Sequence, residues 1–180
     1  MTILLRIALL GSAVFLSSCS IHSSQLSALV SMVKTPVTRL DDSAWLLSYG
    51  DYSSRVYAVA VKGGVLFVNA EGDQILFGGQ VISDVQGLGL SRNHWQVEDV
   101  GNSRRLSRRG RVTAIHVCET WREEVDSSIL EATGKAVFGQ ACSGNLAYKN
   151  RIHINELGEI ELIEQSIDDS GLPLSLAKSF

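Results

Sequence analysis

Short runs rich in β-branched and aromatic residues, separated by glycine-rich turns, recur along most of this 180-residue chain. The segment RVYAVAVK, residues 55–62, is followed by Gly63-Gly64 and then by VLFVN, which is the pattern of a β-hairpin. AEGDQ then turns the chain before QILF, and Gly78-Gly79 precedes QVISDV. Turn residues return about every 8–12 positions, and no long stretch between them has helical periodicity. This spacing predicts an all-β domain with an antiparallel sheet, folded as a barrel, a half-barrel or a sandwich.

Further strands are predicted at 94–100, 112–125, 146–154 and 159–167. In the last two, isoleucine and leucine alternate with charged residues on either side of a turn at Leu157-Gly158, as in a hairpin with one face on a core. The segment that follows, DDSGLPLSLAKSF, is predicted to be a loop with a short apolar tail that adds an edge strand.

The N-terminus has the features of an exported protein. Arg6 precedes an uncharged apolar run, residues 7–16, which has about half the length needed to span a bilayer and is typical of a signal peptide. The motif LSSC, ending at Cys19, resembles the lipobox of bacterial lipoproteins, in which this cysteine is acylated and the preceding peptide is removed. The residue after the cysteine is Ser20 and not the aspartate that resembles an inner-membrane retention signal. The resemblance therefore implies that the mature protein is anchored in the outer membrane and faces the periplasm. The alternatives are an ordinary signal peptide with a chance cysteine, or a short buried helix.

Three segments are predicted: a lipoprotein signal peptide (1–18), a lipidated N-terminus with a tether or short helix (19–45), and a single β domain (46–180). Pro36 ends the helix or closes the tether. A helix lying on the domain and a flexible tether are equally compatible with the sequence. The helical alternative rests on apolar residues at helical spacing, namely Leu26, Leu29, Val30 and Val33.

The charge balance limits the possible partners. The chain carries 16 basic and 19 acidic side chains, and removal of Arg6 with the signal peptide leaves a net charge of about −4. A weakly acidic chain is not a general polyanion binder, so any basic function must be local. A periplasmic address also excludes cytoplasmic nucleic acid as a partner.

Cys118 and Cys142 remain once Cys19 is assigned to lipid. An even pair in an oxidising compartment predicts one disulfide, and closing its loop of about 25 residues stabilises the fold by about 3–4 kcal/mol in the chain-entropy model. The alternative is two buried free thiols. Only His116 lies near Cys118 at a ligand-like spacing, so no zinc site, and no other metal or cofactor, is expected.

Three segments carry a family resemblance: LFVNAEGDQILF (66–77), CETWREEV (118–125) and YKNRIHINELGEIELIEQSI (148–167). Together with the lipobox, they resemble the YjbF-like lipoproteins, which include the lipoprotein of group 4 capsule operons and its relatives in other exopolysaccharide operons. The resemblance implies a large antiparallel sheet curled as a half-barrel, and a role in producing or exporting exopolysaccharide or capsule. It implies no catalytic residues.

Acidic residues surround one tryptophan in the second of these segments. Glu119 and Glu123 share a face with Trp121 if the segment is a strand, an arrangement that suits carbohydrate chemistry, and Glu124 follows. The alternative is a solvated acidic face with Trp121 packed on the sheet. The chain has no nucleophile elbow, zinc-protease motif, P-loop or dinucleotide-binding fingerprint.

The segment RRLSRRGR, residues 104–111, holds five arginines and no acid. Strand alternation predicts an outward set made of Arg105, Arg109 and Arg111. On the opposite face it predicts Arg104, Leu106 and Arg108, with Leu106 turned toward the core. One interpretation is a solvated hairpin or edge strand whose charges discourage pairing with other chains. A second is a site for an acidic polysaccharide or a lipid phosphate, which guanidinium groups bind bidentately, and a third is contact with an acidic protein.

These features together predict a non-catalytic outer-membrane lipoprotein that supports exopolysaccharide or capsule secretion or assembly. It would do so by binding glycan, or an export protein, through the five arginines of the run. The alternatives are a periplasmic carbohydrate-active enzyme that uses the carboxylates around Trp121, and a structural envelope lipoprotein.

Overall fold

The computed structural model describes residues 39–89, 93–124 and 136–179. Within these ranges the helices and strands consist of β-strands alone, which confirms the predicted all-β class. The strands are β1 (Arg39–Tyr49), β2 (Tyr52–Val61), β3 (Gly64–Val68), β4 (Gln74–Phe77), β5 (Ile82–Gln86), β6 (His94–Val100), β7 (Ser103–Arg108), β8 (Arg111–Cys118), β9 (Arg122–Glu123), β10 (Ala136–Ser143), β11 (Ala147–Ile154), β12 (Ile160–Ser166) and β13 (Pro173–Lys178).

The structure tests only part of what is predicted for the N-terminal region. The predicted signal peptide, the lipidation site Cys19 and the predicted helix at 26–33 lie outside the described residues. The β domain begins before residue 46, contrary to the predicted boundary, because β1 already starts at Arg39. In the part of the chain that the structure describes, no helix is long and apolar enough to cross a membrane.

The strands form one antiparallel sheet that closes on itself. Strands β1 to β8 pair consecutively, β13 pairs with β1, and β10 to β13 continue the sheet on the other side. Because β10 contacts β11 along one edge and β8 along the other, the sheet becomes a barrel of 12 strands. The two-residue strand β9 lies beside β10, below the end of β8. The predicted half-barrel is therefore fully closed.

The closing contact between β8 and β10, here called the seam, is short. Among the described residues, the register pairs there are Cys142–Cys118 and Ser143–Val117, and the Glu119 N–H donates to the Ala141 carbonyl at 2.8 Å, whereas β10 and β11 are paired from Ala136 to Ser143. The predicted disulfide joins Cys118 to Cys142 at the first of these pairs and is confirmed. The disulfide therefore reinforces the short β8–β10 ladder that closes the barrel.

The two ends of the barrel carry different connections. The end formed by the β1–β2, β3–β4, β5–β6 and β7–β8 connections holds the arginine-rich turn and is here called the basic end. The opposite end, where β1 begins and β11 connects to β12, is here called the apolar end. Large inward side chains such as Leu47, Phe67 and Ile163 fill the middle with almost no solvent exposure. The barrel thus has a packed middle and two ends that carry different connections.

Candidate functional site

A two-residue turn between β7 and β8 brings three arginines together at the basic end. Arg108 and Arg111 are register partners on either side of it, and Arg109-Gly110 forms its tip. Both tip residues have positive φ, 51° at Arg109 and 75° at Gly110, which is the geometry of a type I′ hairpin turn. The Arg109 N–H donates to the His94 carbonyl on β6 at 2.9 Å, so the turn is tied to the neighbouring strand.

The first tip position of such a turn favours asparagine, aspartate or glycine, because the left-handed region is unfavourable for most L-residues. Arg109 has no such advantage, yet it occupies this position with φ 51°. Arg109 therefore adds a basic side chain to the tip at a position that is unfavourable for its backbone conformation.

Arg111 does not share a face with Arg105, contrary to the alternation prediction. The register shifts between Leu106 and Ser107, where β8 carries the additional residue Thr113. The two-residue turn pairs Arg111 with Arg108, so Arg111 lies on the face of Arg108, and the bulge changes the partners only from Ala114 onward. The exposed basic group at the tip therefore consists of Arg108, Arg109 and Arg111, here called the arginine turn.

The other two arginines lie elsewhere. Arg105 is exposed on the outer face of the barrel, about 13 Å along β7 from Arg109 at strand spacing. Its guanidinium contacts Glu98 at 3.1 Å, and both side chains are at least half exposed. Arg104 is completely buried and faces the barrel interior. The expectation that all five arginines contribute to one exposed patch does not hold for Arg104.

Aromatic residues inside the basic end support the arginine turn. The Arg108 guanidinium lies 5.3 Å from the ring centre of Trp95, and its Nη2 donates to Asn93 at 3.1 Å. Tyr49 packs edge-on against Trp95 with ring centres 6.1 Å apart and donates its hydroxyl to Asp168. Burial and the Asp168 carboxylate raise the pKa of Tyr49 to about 12, so the hydroxyl stays protonated at neutral pH. Sequence patterns did not identify Trp95 and Asn93 as partners of the arginines, because the contacts cross from β6 to β7.

Arg104 holds together a polar belt in the middle of the barrel. Its two terminal nitrogens donate to the side-chain oxygens of Gln140 and Gln165, both at 3.0 Å. Gln165 also accepts the Ile82 N–H at 3.0 Å, which links β7, β10, β12 and β5 across the interior. The one carboxylate beside Arg104 is Asp99, 3.7 Å from its Nε. Burial lowers the pKa of Arg104, and Asp99 opposes this effect.

His116 lies at the seam, next to this belt. It is almost fully buried, its Nδ1 is 2.8 Å from the Tyr148 hydroxyl, and Arg104 is its register partner. Burial is the main cause of its lowered pKa; Arg104 lowers this pKa further, and Asp169 opposes the shift. The folded protein therefore binds a proton at His116 less readily than the unfolded chain does.

This difference predicts that acidification destabilises the fold. The unfolded state holds more protons between the ordinary histidine pKa of about 6.5 and the lower pKa of folded His116, so the free energy of unfolding falls as pH decreases through that window. The slope attributable to one proton is at most about 1.4 kcal/mol per pH unit. Urea denaturation at several pH values should show this loss in the wild type and a smaller loss in His116→Gln. Identical pH dependence of the two proteins would contradict the assignment.

The carboxylates around Trp121 do not form the predicted shared face. Trp121 lines an apolar pocket with Phe138 and Ile152. The acidic side chains line a separate cleft, where Glu119 pairs with Arg122 and the Glu124 carboxylate lies 2.8 Å from Lys149. Within the described residues, no group of three or more His, Cys, Asp or Glu side chains is placed to hold a metal ion.

No protein-family model, curated protein or solved structure matches the chain. The resemblance to YjbF-like lipoproteins therefore stays a prediction, and the arginine turn is the candidate site that the described geometry offers.

Proposed function

We propose that this protein is a non-catalytic lipoprotein of the outer membrane, facing the periplasm, that supports exopolysaccharide or capsule export by binding an acidic polysaccharide through the arginine turn. The lipobox at Cys19 supports the location in the outer membrane. The three segments that resemble YjbF-like lipoproteins support the role in exopolysaccharide or capsule export. The observation that carries the binding role is the grouping of Arg108, Arg109 and Arg111 at one exposed turn, with Arg109 in an unfavourable backbone conformation.

The shape of the arginine turn favours a polymer over a small anion. The turn is a protruding tip, and Arg108, Arg109 and Arg111 are all exposed. Exposed ion pairs of this kind contribute about 0–1 kcal/mol each and are screened by salt. A polysaccharide with repeated carboxylates gains affinity by engaging several arginines on one chain, which a single small anion cannot do. An acidic export protein that contacts the same turn is the second candidate, since its surface can also present several carboxylates.

The test compares arginines at two places on the same hairpin. An acidic exopolysaccharide is titrated into the wild type, into Arg109→Asn/Arg111→Ser and into Arg105→Ser. We expect the double variant to bind at least about tenfold more weakly, and binding by the wild type to weaken steeply with salt. Arg105→Ser should retain most of the affinity, because Arg105 lies away from the turn and pairs with Glu98.

Two controls make the result specific. A neutral glycan should bind none of the proteins. Arg109→Asn alone should raise the free energy of unfolding by up to about 1 kcal/mol, because asparagine tolerates positive φ, so any loss of affinity is not a loss of folding. Equal affinity of the wild type and the double variant for the acidic glycan would refute the proposed site.

The predicted location in the outer membrane is tested separately, by replacing Cys19. We expect the wild type to fractionate with the outer membrane and to carry acyl chains by mass spectrometry, because several chains on one residue anchor a protein almost irreversibly. Cys19→Ala should be soluble or unprocessed. A wild-type protein whose mass shows no acyl chain would exclude lipid anchoring and leave the glycan-binding test unaffected.

A further inference from the structure

The apolar end of the barrel contains a cavity of about 260 Å³ that the proposed function does not use. Apolar side chains from five strands line it, together with one ion pair: Trp45, Ala58, Val65, Phe67, Phe77, Ile160, Ile163, Glu159 and Lys178. A space of this size, close to the lower limit of about 300 Å³ for small-molecule sites, is therefore a candidate ligand site.

The room exists because a small residue stands among large ones. Ala58 is buried on β2, and its register partner on β3 is Phe67. Phe67 packs edge-on against Trp45 with ring centres 5.0 Å apart, so the aromatic rings form the wall and do not fill the space beside Ala58. The resulting surface is aliphatic and aromatic, and it suits an apolar ligand.

One cation faces inward at the mouth of this cavity. Lys178 is the register partner of Trp45 on the adjacent strand, and it continues the inward series of Leu174 and Leu176 on β13. Its side chain is only 16% exposed. Its Nζ lies 3.4 Å from the carboxylate of Glu159, whose own side chain is 53% exposed. A carboxylate at the mouth of the cavity would meet the Lys178 ammonium there, beside Glu159.

We propose that this cavity binds a medium-chain fatty acid, with the acyl chain beside Ala58 and the carboxylate at Lys178. A second apolar pocket, of about 170 Å³ and lined by Trp121, Phe138 and Ile152, lies on the other side of Ile160, which lines both pockets. The assignment is independent of the arginine turn, which lies at the opposite end of the barrel.

The test uses the full-length protein in nanodiscs and dodecanoate that carries an alkyl diazirine at its end. After irradiation, we expect the label on peptides that contain the lining residues, and free dodecanoate should displace it. Decanoate and octanoate should displace it progressively less well, by roughly three- to fourfold per methylene, because each buried methylene adds a nearly constant increment. Dodecylamine should not compete, since its charge matches that of Lys178.

Three variants locate the chain and the headgroup. Ala58→Phe fills the cavity and should lower labelling at least about tenfold, whereas Ala147→Phe adds the same ring at an exposed position and should not change it. Lys178→Gln should weaken the acid but leave labelling by its methyl ester unchanged. An intact Cys118–Cys142 disulfide and an unchanged circular dichroism spectrum verify that each variant is folded.

Unchanged labelling in folded Ala58→Phe would overturn the proposal. So would a label confined to peptides from outside the cavity wall, or equal loss of the acid and the ester in Lys178→Gln. None of these outcomes bears on glycan binding, which is measured at the other end of the barrel.

Discussion

Replacing Arg104 with alanine is expected to lower the free energy of unfolding by about 3–5 kcal/mol, whereas Arg105→Ala, one position along the same strand, should change it by less than about 0.5 kcal/mol. Arg104 is fully buried and Arg105 is exposed. Loss of Arg104 leaves the Asp99 carboxylate without its cation and opens a cavity between Gln140 and Gln165. Urea denaturation of the two variants beside the wild type measures the difference.

A second substitution separates charge from packing in this prediction. Asp99→Asn in the Arg104→Ala background should restore part of the lost stability, because the carboxylate then no longer needs a counterion. If Arg104→Ala costs no more than Arg105→Ala, the polar belt does not stabilise the barrel.

Removing the disulfide by a Cys118→Ala/Cys142→Ala double substitution is expected to cost about 3 kcal/mol. The sequence separation of 24 residues sets the entropic part of this value. The structural part is local, because only two residue pairs join β8 to β10 at the seam. We therefore expect the seam to open before the remainder of the barrel.

Hydrogen exchange distinguishes local opening from general weakening. In the double variant, amides of β8 and β10 should exchange much faster, while those of β3, all of whose residues pair with β2, should change least. Reducing agent should reproduce this pattern in the wild type and have no effect on the variant. A uniform increase over all strands would argue against a weak seam.

Much of the barrel is predictable from local patterns, and the exceptions have physical reasons. The β2–β3 and β11–β12 hairpins follow from glycine turns between apolar runs. The predicted tether includes the first seven residues of β1, because RLDDSAWLLSY begins with charged residues. Local pattern predicts no strand at β10, because AVFGQACS has small residues and no alternation. Strand β13 was predicted as an edge, yet it pairs on both sides, because neighbours distant in sequence are not visible in a local pattern.

The candidate site was predictable only in part. Alternation correctly separated exposed Arg105 from buried Leu106 and Arg104. It failed at Arg111, because the two-residue turn makes Arg111 the partner of Arg108, so simple alternation does not continue from one strand of the hairpin to the next. Alternation does predict that Lys178 faces inward, since it follows Leu174 and Leu176 at a spacing of two. A role in binding could not be predicted, because the cavity beside Lys178 forms only in the folded barrel.

The pairing of β1 with β13 has a consequence for how the chain is made. These two strands are far apart in sequence, and β13 also completes the ladder of β12. During synthesis, one edge of β1 stays unpaired until Pro173–Lys178 has left the ribosome. A chain truncated before that point has two unpaired strand edges, which favour aggregation.

The Ser179 N–H donates to the Ala44 carbonyl at 2.8 Å, so a short linker can join these neighbouring strands. A circular permutant with new termini in the β2–β3 turn should then form this closure early in synthesis.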